Sequence, residues 1–243
     1  MFFKYLLKKF TKFIKIISNK TTRRGLYHNI PASVELEELL KNLEINTIID
    51  AGSNRGQFVL LADKLFNNIE IFSFEPILEL YNKQKKFFKN KRNIKFFNMG
   101  LGSNKSKMIL NITRKKDSSS FLRIKDSNLL GREFDIIEKR EIFISTLDNE
   151  LSNYNLKNSI LLKLDVQGYE LEVLKGSSGL LKKIKYIIIE IPENQIYLNQ
   201  NLGNSILNYL QKKNFKILKS CNQFDIKKIN YSQKDFLLVN TST

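Results

Sequence analysis

The chain reads as a doubly wound α/β domain: a mostly parallel seven-stranded sheet with an antiparallel last strand, preceded by an N-terminal helical extension. Two observations predict this. Near-continuous apolar runs, such as Ile160-Leu161-Leu162, alternate with helical stretches, and such runs suit parallel strands buried on both faces. The second is a pair of strand ends. Ile48-Ile49-Asp50-Ala51-Gly52-Ser53-Asn54-Arg55-Gly56 passes from an apolar strand into a glycine loop, and Phe72-Ser73-Phe74-Glu75-Pro76 ends another apolar strand on an acid.

In chain order, residues 2–18 form a basic amphipathic helix. Phe3, Leu6, Leu7, Phe10, Phe13, Ile14 and Ile17 recur at helical spacing, with lysines filling much of the other face. Charge interrupts it too often for a bilayer span, and it lacks a signal peptide's apolar core and cleavage site. It is suited either to an anionic membrane surface at the inner face or to packing on protein. Residues 19–33 read as a polar connector, so the chain divides into an extension at 1–33 and a domain at 34–243. Ser33 and Glu37 ahead of Leu39, Leu40 and Leu43 predict a capped helix. Strands are expected at 47–51, 70–75, 94–99, 108–113, 141–146, 159–165, 186–191, 215–219 and 235–240. Helices are expected at 56–66, 77–89, 169–175 and 203–213, with a short one from Leu147-Asp148. The strand at 108–113 alternates like an extra antiparallel one, and the last two strands pair antiparallel.

Composition bounds the chemistry. The 243 residues suffice for one core, and the apolar and charged fractions are those of a globular protein. A single cysteine, Cys221, excludes an internal disulfide and fits a reducing, cytoplasmic setting. With one histidine, His28, no His-cluster metal site is available, and no metal is expected. The net charge of +17 invites a nucleic-acid partner. The basic residues are spread along the whole chain, however, so a solvated lysine-rich surface is expected and no nucleic acid.

Strand, glycine loop, helix, strand, acid is the layout of a nucleoside-binding unit. Glu75 suits a ribose, whose two hydroxyls can donate to one carboxylate. A dinucleotide needs G-x-G-x-x-G, which rests a pyrophosphate on the helix N-terminus. Here the pattern is Asp50-x-Gly52-x-Asn54-x-Gly56, and its leading carboxylate repels phosphate and attracts a cation. S-adenosylmethionine (SAM) carries an ammonium and a sulfonium and no phosphate, so the loop fits SAM better than NAD. The competing reading is a ligand-free strand–turn–helix corner, against which Glu75 stands at the correct remove.

Ligands of open α/β sheets bind at the carboxyl ends of strands. Asp50, Glu75 and the segment from Asn98 to Leu101 would line one cofactor cleft, and Asp165 would face what lies beyond it. Asp165 either orients or deprotonates a substrate hydroxyl, or caps the following helix by accepting backbone N–H bonds. Lys163 needs an acidic partner if buried, Glu170 being one candidate. Glu190 lines the pocket or is structural. His28 is a second candidate base or a surface histidine. Ser118, Ser119 and Ser120 contact substrate or form a polar loop.

Together these motifs resemble the FkbM family of SAM-dependent methyltransferases. The resemblance rests on Asp50 to Gly56, Phe74-Glu75-Pro76, Gly100-Leu101-Gly102, Thr146-Leu147-Asp148, and Lys163-Leu164-Asp165-Val166-Gln167-Gly168-Tyr169-Glu170 continuing to Gly176. It covers roughly residues 47–191. It implies a class I methyltransferase (Rossmann-like) fold and O-methylation, and a hydroxyl of a sugar, glycan or related small-molecule metabolite is the acceptor expected. It also implies that the loop Asp50–Gly56, with Gly52, Ser53 and Asn54, holds the methionine end of SAM. Glu75 would take the ribose, Pro76 shape the turn and Leu101 flank the adenine. The family commonly has glutamate where Gln167 stands and alanine at Gly100. Two rivals remain. A nucleic-acid methyltransferase would need an Asn/Asp-Pro-Pro-aromatic loop or a nucleophilic cysteine; Asp165-Val166-Gln167-Gly168 and the late Cys221 do not supply them. A noncatalytic membrane-associated binding protein on the same fold is disfavoured by the intact Asp50, Gly52, Asn54 and Glu75.

Overall fold

The computed structural model describes residues 2–125, 130–226 and 231–242; side chains of residues 1–9 and 222–231 lie outside the described residues. The central element is β1 (Thr47–Ala51), every residue of which is buried. It pairs in parallel with β2 (Glu70–Phe74) on one side and β7 (Ile160–Leu164) on the other. With β3 (Ile94–Phe97), β8 (Ile184–Pro192), β9 (Phe215–Ile226) and β10 (Tyr231–Asn240), the sheet runs in the order β3-β2-β1-β7-β8-β10-β9. Only β10 runs against its neighbours, pairing antiparallel with both β8 and β9. This is the expected seven-stranded, mostly parallel sheet with its last strand reversed.

Both faces are covered, which is why the strands read as apolar runs. Successive side chains point to opposite faces. Ile48, Leu161 and Ile188 therefore join one core with Leu39, Val59, Leu60 and Phe88. Ile49, Leu162, Ile187 and Ile189 join the other with Leu147, Leu174, Leu181, Ile206 and Leu210. The helices supplying these layers include α4 (Gln57–Leu65), α5 (Leu78–Phe87), the short α6 (Leu147–Glu150), α7 (Glu170–Lys175) and α8 (Gly203–Gln211).

Three local expectations change. Residues 19–33 hold a helix, α2 (Lys20–Tyr27), because Asn19 caps it by accepting from the N–H groups of Thr21 and Thr22 at 2.8 and 3.4 Å. The helix expected after Ser33 is a short 3₁₀ turn, Val34–Leu36, running into one helical turn, α3 (Glu37–Leu40), and the Ser33 side chain caps nothing. The strand expected at 141–146 spans Ile136–Ser145 (β6) and sits in a separate three-stranded sheet, between Gly100–Leu101 (β4) and the antiparallel Ser106–Thr113 (β5). Gly100-Leu101 thus leaves the main sheet. Ile16, Ile30 and Ala32 of the extension are buried in the same core as Leu60. Among the described residues no helix is long and apolar enough to cross a membrane.

Leu162, fully buried at the middle of β7, tests the double-sided core. Leu162→Ala is expected to cost about 2–5 kcal/mol, read as a lower denaturant midpoint at unchanged slope.

Candidate active site

Register brings the strand ends together. Ala51 pairs with both Phe74 and Leu164, and Leu164 pairs with Ile189. The next residues, Gly52, Glu75, Asp165 and Glu190, therefore stand side by side at the carboxyl edge of the sheet, with Asp235 opposite Glu190 on β10. They line a cavity of about 630 Å³, within the range usual for small-molecule sites.

The first wall is the loop after β1. Gly52 has φ +80°, and a Cβ there would lie 1.9 Å from the carbonyl oxygen of Asp165, so only glycine lets the loop approach β7 this closely. The Phe74 carbonyl accepts from the N–H groups of Gly52 and Ser53 at 3.1 and 3.0 Å. Asn54, at φ 53°, donates its backbone N–H to Glu75 Oε2 at 2.7 Å. The Ile77 N–H donates to Glu75 Oε1 at 2.8 Å. Each oxygen of Glu75 thus holds one backbone donor and keeps capacity for another. Burial, opposed by these two N–H groups, raises the Glu75 pKa to about 7.

Beneath the loop lies Gln84, fully buried, which donates to Ser53 Oγ at 2.9 Å and the Asn54 carbonyl at 3.2 Å and accepts from Ser73 Oγ at 2.8 Å. Sequence reasoning missed it; the available signal was a lone amide four residues after the buried Leu80 on the same helix face. Above the loop, Asp117 accepts from Asn54 Nδ2 at 3.0 Å and from Arg55 Nη2 at 3.3 Å. The oxygen of the Asn54 side chain is buried without a hydrogen-bond partner on this wall.

Asp50 is placed differently from the expectation. It is fully buried and lies off the cavity wall. Its register partner on β7 is Lys163, so the two side chains emerge on the same face. Lys163 Nζ stands 3.2 Å from Asp50 Oδ1, an ion pair without hydrogen-bond alignment. The cation that meets Asp50 is therefore the chain's own. Burial pushes the Asp50 pKa up while Lys163 pulls it back. Burial works against the Lys163 ammonium, yet Asp50 and Asp165 together hold its pKa above the usual lysine value.

Lys163 also donates to the Gly52 carbonyl at 3.2 Å and to Asp165 Oδ2 at 3.3 Å. Asp165 lies on the cavity wall with 40% of its side chain exposed. Its other oxygen accepts from Gln167 Nε2 at 2.7 Å, and Tyr197 donates its hydroxyl to Gln167 Oε1 at 3.0 Å. Among the described residues no backbone N–H donates to the Asp165 side chain; the loop is closed instead by Glu170, which accepts from Val166 and Gly168 at 3.2 and 3.1 Å. Glu170 is thus a loop brace and not the partner of Lys163. Burial raises its pKa to about 7.

The remaining candidates divide. Pro76 and Leu101 line the cavity, as do Ser118, Ser119 and Ser120. Ser118 and Ser120 are buried, and Ser120 Oγ donates to the Gln167 carbonyl at 2.6 Å, which ties the serine loop to the loop after β7. Glu190 lines the cavity and accepts from Gln233 Nε2. Burial, with Asp165 and Asp235 nearby, holds its pKa well above the usual carboxylate value. Gly56 lies off the wall, packed against Phe88 and Gln84. His28 is exposed at the end of α2, edge-on to Phe87 at 5.3 Å, and is not brought to the cavity. The helix that ends there turns it outward. Among the described residues no group of three or more His, Cys, Asp or Glu side chains is arranged to hold a metal.

The residues fit SAM. The paired acceptor oxygens of Glu75 suit a ribose diol, and the orphaned Asn54 oxygen suits an ammonium donor. Comparison with known proteins agrees. Residues 50–217 match the model described as Methyltransferase FkbM domain. Methyltransferase 1 of Beauveria bassiana is 25% identical over 179 residues, spanning 63% of this chain and 71% of that protein. The fold is shared with Sp1610 of Streptococcus pneumoniae in complex with SAM, at 11% identity over 87% of this chain and 74% of that one, TM-score 0.50. Magnesium protoporphyrin IX methyltransferase of Synechocystis with bound SAM aligns at 11% identity over 96% of this chain and 91% of that one, with a TM-score of 0.47.

A carboxyl titrating at about 7 is mostly protonated one pH unit lower, and one of its oxygens then donates instead of accepting. SAM affinity is therefore expected to rise about tenfold from about pH 6 to about pH 8 by calorimetry, and Glu75→Gln is expected to bind weakly with a flat profile.

Proposed function

The chain belongs to the FkbM family of methyltransferases, and from that premise we propose that it methylates a hydroxyl of a sugar, glycan or related polyhydroxylated metabolite, using its cofactor SAM. When bound, SAM supplies a methyl group made electrophilic by a sulfonium sulfur. Gly52, Ser53 and Asn54 receive the methionine end, Glu75 the ribose, and Pro76 and Leu101 border the nucleoside. Asp165 accepts the proton of the acceptor hydroxyl.

The observation that carries this reading is the setting of Asp165. Its carboxylate reaches the cavity from the strand end beside the methionine loop, and Lys163 and Gln167 each hold one of its oxygens. Displacement at a methyl carbon disperses charge, so alignment of the acceptor contributes most, about 7–11 kcal/mol. A positioned base adds about 10²–10⁴-fold. Lys163 fixes the carboxylate's direction. The neutral amide of Gln167 leaves the remaining lone pairs of Asp165 toward the cavity.

The acceptor class follows from the rest of the wall. Asp165, Glu190 and Asp235 converge on the side away from Glu75. Their oxygens accept hydrogen bonds from hydroxyls, so a polyol suits this stretch of the wall, while Lys12, Lys115 and Lys116 line the rest of the same cavity. A reducing, cytoplasmic setting remains the natural one for a chain with a single cysteine.

Asp165→Asn is expected to lower kcat by about 10²–10⁴-fold with SAM affinity changed by less than about twofold, measured by methyl transfer to a panel of hydroxylated acceptors and by calorimetry. Full turnover in this variant removes Asp165 from the role.

A further inference from the structure

The first helix, α1 (Phe2–Ile17), is mounted on the domain by its polar side. At 3.6 residues per turn, positions 10, 13, 14 and 17 share one face, and positions 12, 15 and 16 lie on the opposite one. The second group meets the body of the protein. Lys12 pairs with Glu35 at 2.7 Å, Lys15 approaches Glu37 at 3.7 Å, and Ile16 is 4% exposed. The helix end is tied down as well: Thr22 Oγ1 donates to the Ile16 carbonyl at 2.6 Å and Arg23 Nη1 to the Ile17 carbonyl at 3.2 Å. The apolar face is left outward, with Phe10, Phe13 and Ile14 at 60, 51 and 44% exposure.

A helix of a globular protein ordinarily buries its apolar stripe and shows water its charges. Here the arrangement is reversed, and ion pairs at the rim of the cavity hold it so. Lys12, Glu35 and Leu36 are themselves cavity-lining residues. The sequence carries the same apolar periodicity back to Phe3.

We propose that this outward face of α1 docks the enzyme on an anionic lipid bilayer. Charge selects the occupant. Eight lysines and arginines precede Glu35, the first acidic residue of the chain. Lys20, Arg23 and Arg24, immediately after the helix, are exposed. An aromatic stripe flanked by cations and free of acids matches the interior edge and headgroup layer of an acidic leaflet together. A second copy of the chain seated on the same face would bring two such basic segments together, which repels. Docking sets the rim of the cavity about one helix diameter from the lipid surface, since Lys12 lines the cavity from the helix face opposite the outward stripe.

The test uses the full chain and vesicles of phosphatidylcholine with or without phosphatidylglycerol, read by co-sedimentation. Binding to the acidic vesicles, weakened by added salt and absent with phosphatidylcholine alone, is expected. Replacing Phe10 and Phe13 together by serine is expected to weaken partitioning at least about tenfold while calorimetry shows SAM binding unchanged, because neither residue touches the cavity. Equal binding of the double variant, or equal binding to neutral vesicles, overturns the proposal. So does a chain that ignores vesicles but dimerises in sedimentation velocity until the two phenylalanines are replaced, which would assign the face to a second copy.

Discussion

One buried ammonium holds the site together. Lys163 Nζ lies within 3.3 Å of Asp50 Oδ1, Asp165 Oδ2 and the Gly52 carbonyl, so it pins the end of β7 to the end of β1 and to the loop between sheet and cofactor. Two carboxylates share one cation, and burial decides how they divide it. Asp50 has no access to water and depends on Lys163 for its charge. Asp165, by contrast, is 40% exposed and opens onto the cavity. Removing either partner of a buried pair typically costs about 3–5 kcal/mol, because the survivor is left without water or a counter-charge. The same lysine therefore supports the fold and orients the Asp165 carboxylate proposed as the base.

The cofactor wall is built on a similar economy of donors. Glu75 satisfies the N–H groups of Asn54 and Ile77, which the turns after β1 and β2 leave without ladder partners. Gln84 reaches the same loop from below through Ser53 and the Asn54 carbonyl. Glycine at position 52 is required by the neighbouring strand end, since the added Cβ would strike the Asp165 carbonyl. Substrate-side and cofactor-side loops are consequently packed on one another, with Ser120 and Tyr197 extending the contact through Gln167.

The sheet was legible because a two-faced sheet imposes apolar runs that no other element needs, and the strand-end acids were legible because parallel strands end on the ligand side. What escaped was pairing across the chain. Asp50 and Lys163 are 113 positions apart, and only the parallel register of β1 and β7 reveals that they share a face. Read alone, Asp50 looked like a group for a ligand cation, and Lys163 looked like a partner for the nearby Glu170. Local chemistry was misjudged in the same way at Asn19, whose cap turns a polar connector into a helix. The strand at 136–145 carried the right periodicity but no mark of which sheet it joins. Gln167 and Tyr197, 30 positions apart, meet only because the loops after β7 and β8 converge at the same sheet edge.

Charge on the exterior and charge in the cavity act over different distances. A net charge of +17 acts over distances up to a Debye length, about 8 Å at physiological salt. It draws the chain toward any polyanion. The carboxylates at the sheet edge act only inside the cavity, at contact range, where the effective dielectric is lower and each group counts for more. Burial holds the Glu190 pKa well above the usual carboxylate value, and Lys115 and Lys116 share the lining with Asp165, so the wall is mixed and not a uniform anionic barrier. The basic exterior therefore governs long-range attraction, while hydrogen-bond pairing at the strand ends governs the proposed fit of a hydroxylated acceptor.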